Sequence, residues 1–167
     1  MTIKILSEYL SCDPSTGVLT WIKVPGKRSE VLGQQAGSVQ KNGYRLITIK
    51  GIKYQAHKVV WWFVHGVYPV ELDHKNNQRD DNRLDNLRLC TRSQNNGNQG
   101  IASHNTTGFK GIRKGHKGKY TASISQHGKS KHLGTFDSPE EAAAAYDKAA
   151  LSFFGSFVKT NKEMGLL

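Results

Sequence analysis

Two brief segments, Glu71 to His74 and Leu87 to Cys90, flank a polar run from Lys75 to Asp85, and they constrain this chain more than any other feature. Apolar and polar residues alternating over so few positions read as a pair of short strands. Thr91 or Ser93 can cap a helix that follows and contains Asn95 and Asn96. The expected local order is strand, loop, strand, helix. That order sets an acid and a histidine side by side on the first strand, with Asn86 twelve and Asn95 twenty-one positions after the histidine.

Those residue types suit one kind of chemistry. Cleaving a phosphodiester needs a water nucleophile, a base to activate it and positive charge where negative charge develops. A carboxylate and an amide oxygen are hard donors, matched to Mg²⁺ or Mn²⁺ rather than Zn²⁺. Asp73 and Asn95 are therefore the expected metal ligands, with most positions left to water and the scissile phosphate. His74 leaves the opposite side of the strand from Asp73 and is expected to face the attacking water.

The charge balance points to the same class of partner. The 167 residues carry a net charge of +11 and a pI near 9.7, and a polyanion is the natural partner of such a chain. Nucleic acid fits better than a membrane surface. Nowhere is there an apolar run near the roughly 18 to 20 residues that cross a bilayer. The first 14 residues lack both a long apolar core and a small-residue cleavage site, so no signal peptide is expected. Cys12 and Cys90 make no C-x-x-C pair, and His57, His65, His74 and Cys90 have no usual zinc spacing, so no structural zinc is expected. The expected setting is the cytoplasm of the host cell.

Residues 2 to 11 have helical spacing, including Ile3, Ile5, Leu6, Tyr9 and Leu10, and end at the turn cluster Asp13 to Gly17. Val18 to Trp21 reads as a strand, and the loop from 22 to 36 offers Lys23, Lys27 and Arg28 to a nucleic acid. Asn42-Gly43 between residues 37–41 and 44–50 predicts a hairpin. Lys50-Gly51 marks a further turn, and Ala56 to Val64 predicts a helix ended by Gly66 and Pro69. Residues 97–107 are small and polar without acid or base, and 100–107 are the expected linker. Beyond them come three strand-like segments, 108–114, 119–126 and 130–136. Ser138-Pro139-Glu140-Glu141 then starts a helix that carries Ala142, Tyr146, Ala149, Ala150 and Phe153 on one side and stops near Gly155. Between Phe109 and Phe136 stand seven Lys or Arg residues and no acid, which predicts a sheet basic on one face.

Residues 54–99 resemble the HNH endonuclease family of the ββα-metal fold. The resemblance lies in His57-Lys58-Val59-Val60-Trp61-Trp62, Asp73-His74, Asn82-Arg83-Leu84-Asp85-Asn86-Leu87-Arg88 and Ser93-Gln94-Asn95-Asn96. It is closest to the phage and homing branch, where asparagine replaces the final histidine. It implies that Asp73 and Asn95 bind metal, that His74 is the general base, and that Asn86 hydrogen-bonds within the loop and orients His74. Asn76, Asn77, Asn82 and Asn96 are assigned to turns and caps.

Residues 108 to about 161 resemble the plant ethylene-response-factor (Apetala-type) DNA-binding domain, through Gly108-Phe109-Lys110-Gly111-Ile112-Arg113, Lys119-Tyr120-Thr121-Ala122, His132-Leu133-Gly134-Thr135-Phe136 and Glu140 to Asp147. This implies a three-stranded sheet laid in the major groove with a helix behind it. Lys110, Arg113, Lys114, Lys119, Tyr120, Lys129 and Lys131 are its expected DNA contacts.

The expectation is thus an α+β chain. Residues 1–99 form a ββα-metal module with accessory hairpins and a core at 54–99. Residues 108–167 form a small antiparallel sheet packed on one helix. A metal-dependent endonuclease acting on double-stranded DNA is expected, nicking as a monomer, with a dimer and a homing role as extensions. The competing expectation is a DNA-binding regulator whose nuclease module is inactive.

Overall fold

The computed structural model describes residues 4–26, 29–126 and 128–167. Ile3, Lys27 and Arg28 lie outside the described residues. The chain is mixed α and β, with several small antiparallel sheets, and it divides into two compact units between Leu89 and Cys90.

The first unit opens with α1 (Ile5–Tyr9), shorter than its helical spacing predicted. Leu10 already belongs to β1 (Leu10–Asp13), which pairs antiparallel with β2 (Val18–Trp21). The Asp13 carboxylate explains the tight reversal, because its Oδ1 accepts from Ser15 N at 2.9 Å and Ser15 Oγ at 2.6 Å. Asn42-Gly43 turns the chain between β3 (Ser38–Val39) and β4 (Arg45–Ile49), with Gly43 at φ 85°. Lys50 and Gly51, both at positive φ, then lead into β5 (Ile52–Gln55), completing the sheet β3-β4-β5.

α2 (Ala56–His65) follows at once and ends at Gly66, whose left-handed backbone donates to Trp62 O at 2.8 Å. It buries Ala56, His57, Val59 and Val60 against Leu6, Leu10, Leu19, Ile47 and Ile49. The unit closes with β6 (Leu72–His74) and β7 (Leu87–Leu89), an antiparallel pair whose ends Leu72 and Leu87 join that same core.

The second unit begins with α3 (Arg92–Asn98), started by a full capping box between Thr91 and Gln94. Three strands, β8 (Ile112–Lys114), β9 (Tyr120–Gln126) and β10 (Lys129–Phe136), form one antiparallel sheet in the order β10-β9-β8. α4 (Pro139–Phe154) packs across all three. Ser138 Oγ accepts from Glu141 N, and Gly155 ends the helix. The buried seam of α4 differs from the expected one: Ala143 and Phe154 face the core where Ala149 and Phe153 were expected. Asp147 joins this buried face because it accepts from Asn161 N, Asn161 Nδ2 and Lys162 N at 2.8 to 2.9 Å.

The division between units falls earlier than the linker expected at 100–107. α3 packs on α4 and on the 3₁₀ turn after it, so it is part of the second compact unit. Residues 105–109 are also tied down, since Asn105 Oδ1 accepts from Thr107 N and Gly108 N and its amide donates to Phe109 O. β8 begins only at Ile112 because this turn and Gly111, at φ 79°, occupy the stretch before it.

Gly111 lies against the Tyr146 ring, and a Cβ there would stand 2.0 Å from Tyr146 Cδ2. Gly111→Ala must therefore displace a core aromatic and also hold an unfavourable positive φ. It is expected to destabilise the protein by at least about 2 kcal/mol, read by chemical denaturation.

Candidate active site and nucleic-acid interface

Asp73 and His74 leave opposite faces of β6, and both faces are covered. Arg88 stands opposite Asp73 in the register, and its Nε and Nη2 both donate to Asp73 Oδ2, at 2.9 and 2.8 Å. A buried carboxylate needs such a partner, because withdrawing it from water uncompensated is strongly unfavourable.

His74, expected to face the attacking water, is 4% exposed. Its Nε2 stands 3.2 Å from Asn82 Oδ1. An amide oxygen only accepts, so the ring proton sits on Nε2 and the lone pair on Nδ1. Burial pulls the His74 pKa below its ordinary value against the opposing pull of the Asn82 hydrogen bond. The ring is thus neutral near pH 7, as a proton acceptor must be.

Behind it lies His57, in the first turn of α2. The two imidazoles meet edge to face at 4.9 Å, and Tyr44 completes the cluster at 5.3 Å from His57 and 5.9 Å from His74. His57 is only 2% exposed and its Nδ1 has no hydrogen-bond partner. Burial, with smaller repulsions from His74 and Lys58, pushes its pKa down to about 3.

The loop between β6 and β7 is braced along its length. Asn86 donates to Asp81 O at 2.8 Å and Asn76 Oδ1 at 3.0 Å, and it accepts from Asn76 N at 3.1 Å. Asn86 thus holds the backbone next to Asn82. Arg83 clasps the Asp81 carboxylate, holding its pKa down to about 2. The β3–β4 turn grips the loop from outside, through Arg45 on Asp80 and Arg79 on Asn42 O, and the Arg79 guanidinium lies 5.2 Å from the Tyr44 ring centre. The β1–β2 turn supports it as well. Leu84 N donates to Pro14 O, and a Cβ on Gly17 would fall 2.2 Å from the Asn82 carbonyl carbon.

The structure brings Asp73, His74 and Asn86 together in the first unit; Asn95, half-buried, lies on α3 in the second. Sequence reasoning gave Asn82 a turn role and named His57 only within the family motif and among side chains without zinc spacing. The one signal available was a histidine in the first turn of α2, beside its apolar residues.

The donor chemistry at Asp73 fits a hard divalent cation: a buried carboxylate already charge-balanced by Arg88. Among the described residues no group of three or more His, Cys, Asp or Glu side chains is arranged to hold a metal. An ion held at such a carboxylate would take most of its ligands from water and phosphate, the usual situation of Mg²⁺.

The expected basic face of the C-terminal sheet is arranged differently. Ala122 and Ile124 turn toward α4, and the register sets Lys114 beside Tyr120, and Lys131 beside Ile124, on that same side. Tyr120 packs against the core and the Lys131 ammonium lies 5.3 Å from the Phe153 ring centre. The open face carries Arg113, Thr121, Ser123, Ser125, Ser130, His132 and Thr135. Lys119 pairs with Asp137, and Lys129 and Lys114 are exposed at strand ends. Lys110, expected to contact DNA, is 9% exposed and spends its ammonium on Gly97 O at 2.5 Å and Lys159 O at 3.0 Å. In the first unit Lys23 is exposed, its ammonium 5.2 Å from the Tyr9 ring centre.

Comparison with known proteins separates the two regions. Residues 54–97 match the HNH endonuclease family. An uncharacterized HNH endonuclease of Acanthamoeba polyphaga mimivirus is 31% identical over 125 residues, covering 73% of this chain and 64% of the viral protein. An ethylene-responsive transcription factor of Arabidopsis thaliana is 50% identical over 58 residues, 34% of this chain and 23% of its own length. One of Oryza sativa is 49% identical over 55 residues, 32% and 17% respectively. The chain therefore spans less than two thirds of each of these relatives, and the plant factors match its C-terminal region.

The buried neutral His57 makes stability depend on pH. Below its ordinary value of 6.5 the unfolded chain takes up a proton that the folded ring refuses until about pH 3. Stability is therefore lost as pH falls through that window, by about 1.4 kcal/mol per unit from this residue. His57→Phe keeps an aromatic ring and is expected to flatten the fall between pH 6.5 and 4.5, measured by denaturant titration.

Proposed function

On the premise that residues 54–97 form an HNH endonuclease domain, we propose that this chain is a divalent-metal-dependent endonuclease that nicks double-stranded DNA. The observation that carries this reading is the buried Asp73–His74 pair, with Arg88 balancing the carboxylate and Asn82 fixing the imidazole tautomer. The first strand, the second strand and α3 would form the ββα-metal arrangement in chain order. We place the protein in the cytoplasm, acting as a monomer.

In the proposed reaction water attacks phosphorus, and His74 Nδ1 takes the water's proton. The P–O bond to one sugar oxygen breaks, and the departing oxygen is protonated from solvent. Asp73 and Asn95 would hold Mg²⁺ or Mn²⁺. When bound, such an ion supplies positive charge against the charge developing on the phosphate oxygens. Asn82 keeps the ring proton on Nε2, and Asn86 holds the loop backbone that presents Asn82. His57 and Tyr44 pack the ring and keep bulk water from behind it.

The C-terminal unit would dock on the duplex through its open sheet face. Arg113 is suited to a base edge or a phosphate, and the hydroxyls beside it to phosphate oxygens. Lys114, Lys119 and Lys129 at the rim, and Lys23 in the first unit, would add phosphate contacts. Lys110 is left out because its ammonium is spent internally, Tyr120 because it packs against the core, and Lys131 because its ammonium lies over the Phe153 ring. The resemblance of this region to proteins named as transcription factors favours one competing reading, a DNA-binding regulator without cleavage.

Supercoiled plasmid carrying the DNA that flanks the gene separates the two. Open circles are expected in Mg²⁺ and none in chelator. His74→Ala should slow nicking by roughly 10² to 10⁴-fold and Asn82→Ala by about 10 to 100-fold, both binding DNA like the parent protein. Binding without open circles on any flanking DNA would leave the regulator. Independently, Arg113→Ala is expected to weaken duplex affinity and lower the slope of its salt dependence, measured by gel shift at several salt concentrations.

A further inference from the structure

Lys110 is the least expected charge in the chain. Burying an ammonium is unfavourable, and desolvation pushes its pKa down to about 8. It is nevertheless held on every side. Lys110 N donates to Asn161 Oδ1 at 2.7 Å, Asn161 is locked to Asp147 on α4, and the ammonium reaches the carbonyls of Gly97 and Lys159.

Gly97 is the penultimate residue of α3. A seven-residue helix is too short to hold its own shape in water. Its start has the Thr91–Gln94 capping box; its end depends on neighbours. Gly97 O receives both Lys110 Nζ, at 2.5 Å, and Lys159 N, at 3.2 Å. A positive group at this end also suits the helix dipole. The contact is close enough that a Cβ on Gly97 would stand 3.0 Å from the Phe154 ring. Lys110 and Phe154 together set the height of α3 on the second unit and its rotation about its own axis. Asn95 lies two residues before Gly97, on the same turn.

We propose that Lys110 is a positioning residue for Asn95: its ammonium pins the carboxyl end of α3 to the sheet-and-helix body and so fixes where the Asn95 amide is held. The inference rests on the proposed function for its claim that Asn95 binds metal. It makes metal affinity depend on the C-terminal fold, through a buried residue whose ammonium is spent on two carbonyls.

The test uses the full chain bound to duplex DNA. Mn²⁺ affinity is read by electron paramagnetic resonance, and DNA affinity is read separately in chelator. Lys110→Met is expected to weaken Mn²⁺ binding roughly tenfold, while DNA affinity in chelator stays within about twofold because the ammonium contacts no nucleic acid. Lys110→Arg should recover most of the loss. If the Met variant does not fold, Lys110→Gln decides, since its amide can still donate to one carbonyl; a loss of about threefold is expected. A folded Met or Gln variant with parental Mn²⁺ affinity overturns the proposal. Asn95→Ala is the control on the underlying reading. Unchanged Mn²⁺ affinity there would remove Asn95 as a ligand, whereas a loss there with none in the Lys110 variants would overturn the positioning role alone.

Discussion

The hydrogen bond from His74 to Asn82 is the interaction around which the first unit is organised. β6 is three residues long and buried on both faces, so the strand sets the position of the imidazole but not its proton. The proton's place is decided by an amide eight residues further on, in a loop without strand or helix until Leu84. A loop by itself is a poor instrument for that purpose, since each unrestrained residue carries conformational entropy of about 1 to 2 kcal/mol. Here it is held by ion pairs and side-chain amides within, by the β3–β4 turn on one side and by the β1–β2 turn on another. The strands before α2 are thereby part of the working site.

The same low-polarity pocket explains why two histidines lie in contact without repelling. Each is kept neutral by burial, and neutral rings pack as aromatics. The cost is the unpaired His57 Nδ1, a penalty that a wholly apolar core would avoid. Rigidity of the imidazole pair is obtained at the expense of stability.

Much of this was legible in the sequence, for identifiable reasons. Turns written in Asn-Gly, Lys-Gly and Asp-Pro-Ser-Thr-Gly, the cap at Thr91 and the start at Ser138 are local, and local hydrogen bonding decides them. Asp73, His74 and Asn86 were singled out by spacing, and the first unit holds all three. Asn82 did not, because an asparagine in an asparagine-rich loop reads as turn chemistry until its oxygen is seen against the ring. Lys110, Tyr120 and Lys131 take positions that the charge count did not indicate, for a related reason. Counting charges along the sheet segment cannot tell which side of a strand each residue takes, and a lysine buried against two carbonyls looks like any other lysine. Asn161, fifty-one residues away, is what holds the Lys110 backbone, and no local pattern announces such a pairing.

The contact between Gly17 and the Asn82–Arg83 peptide bears on how such a domain can be transplanted. The stretch that matches the HNH family begins at residue 54, yet the wall behind the proton-fixing amide is built from residue 17, and its outer clamp from residues 42 to 45. A graft cut at the edges of the recognisable motif would carry Asp73, His74, Asn82 and Asn86 and leave behind the surface they lean on. In evolutionary terms, recombination that shuffles such domains is constrained to break the chain before the first hairpin, and position 17 can accept no side chain while that amide keeps its place.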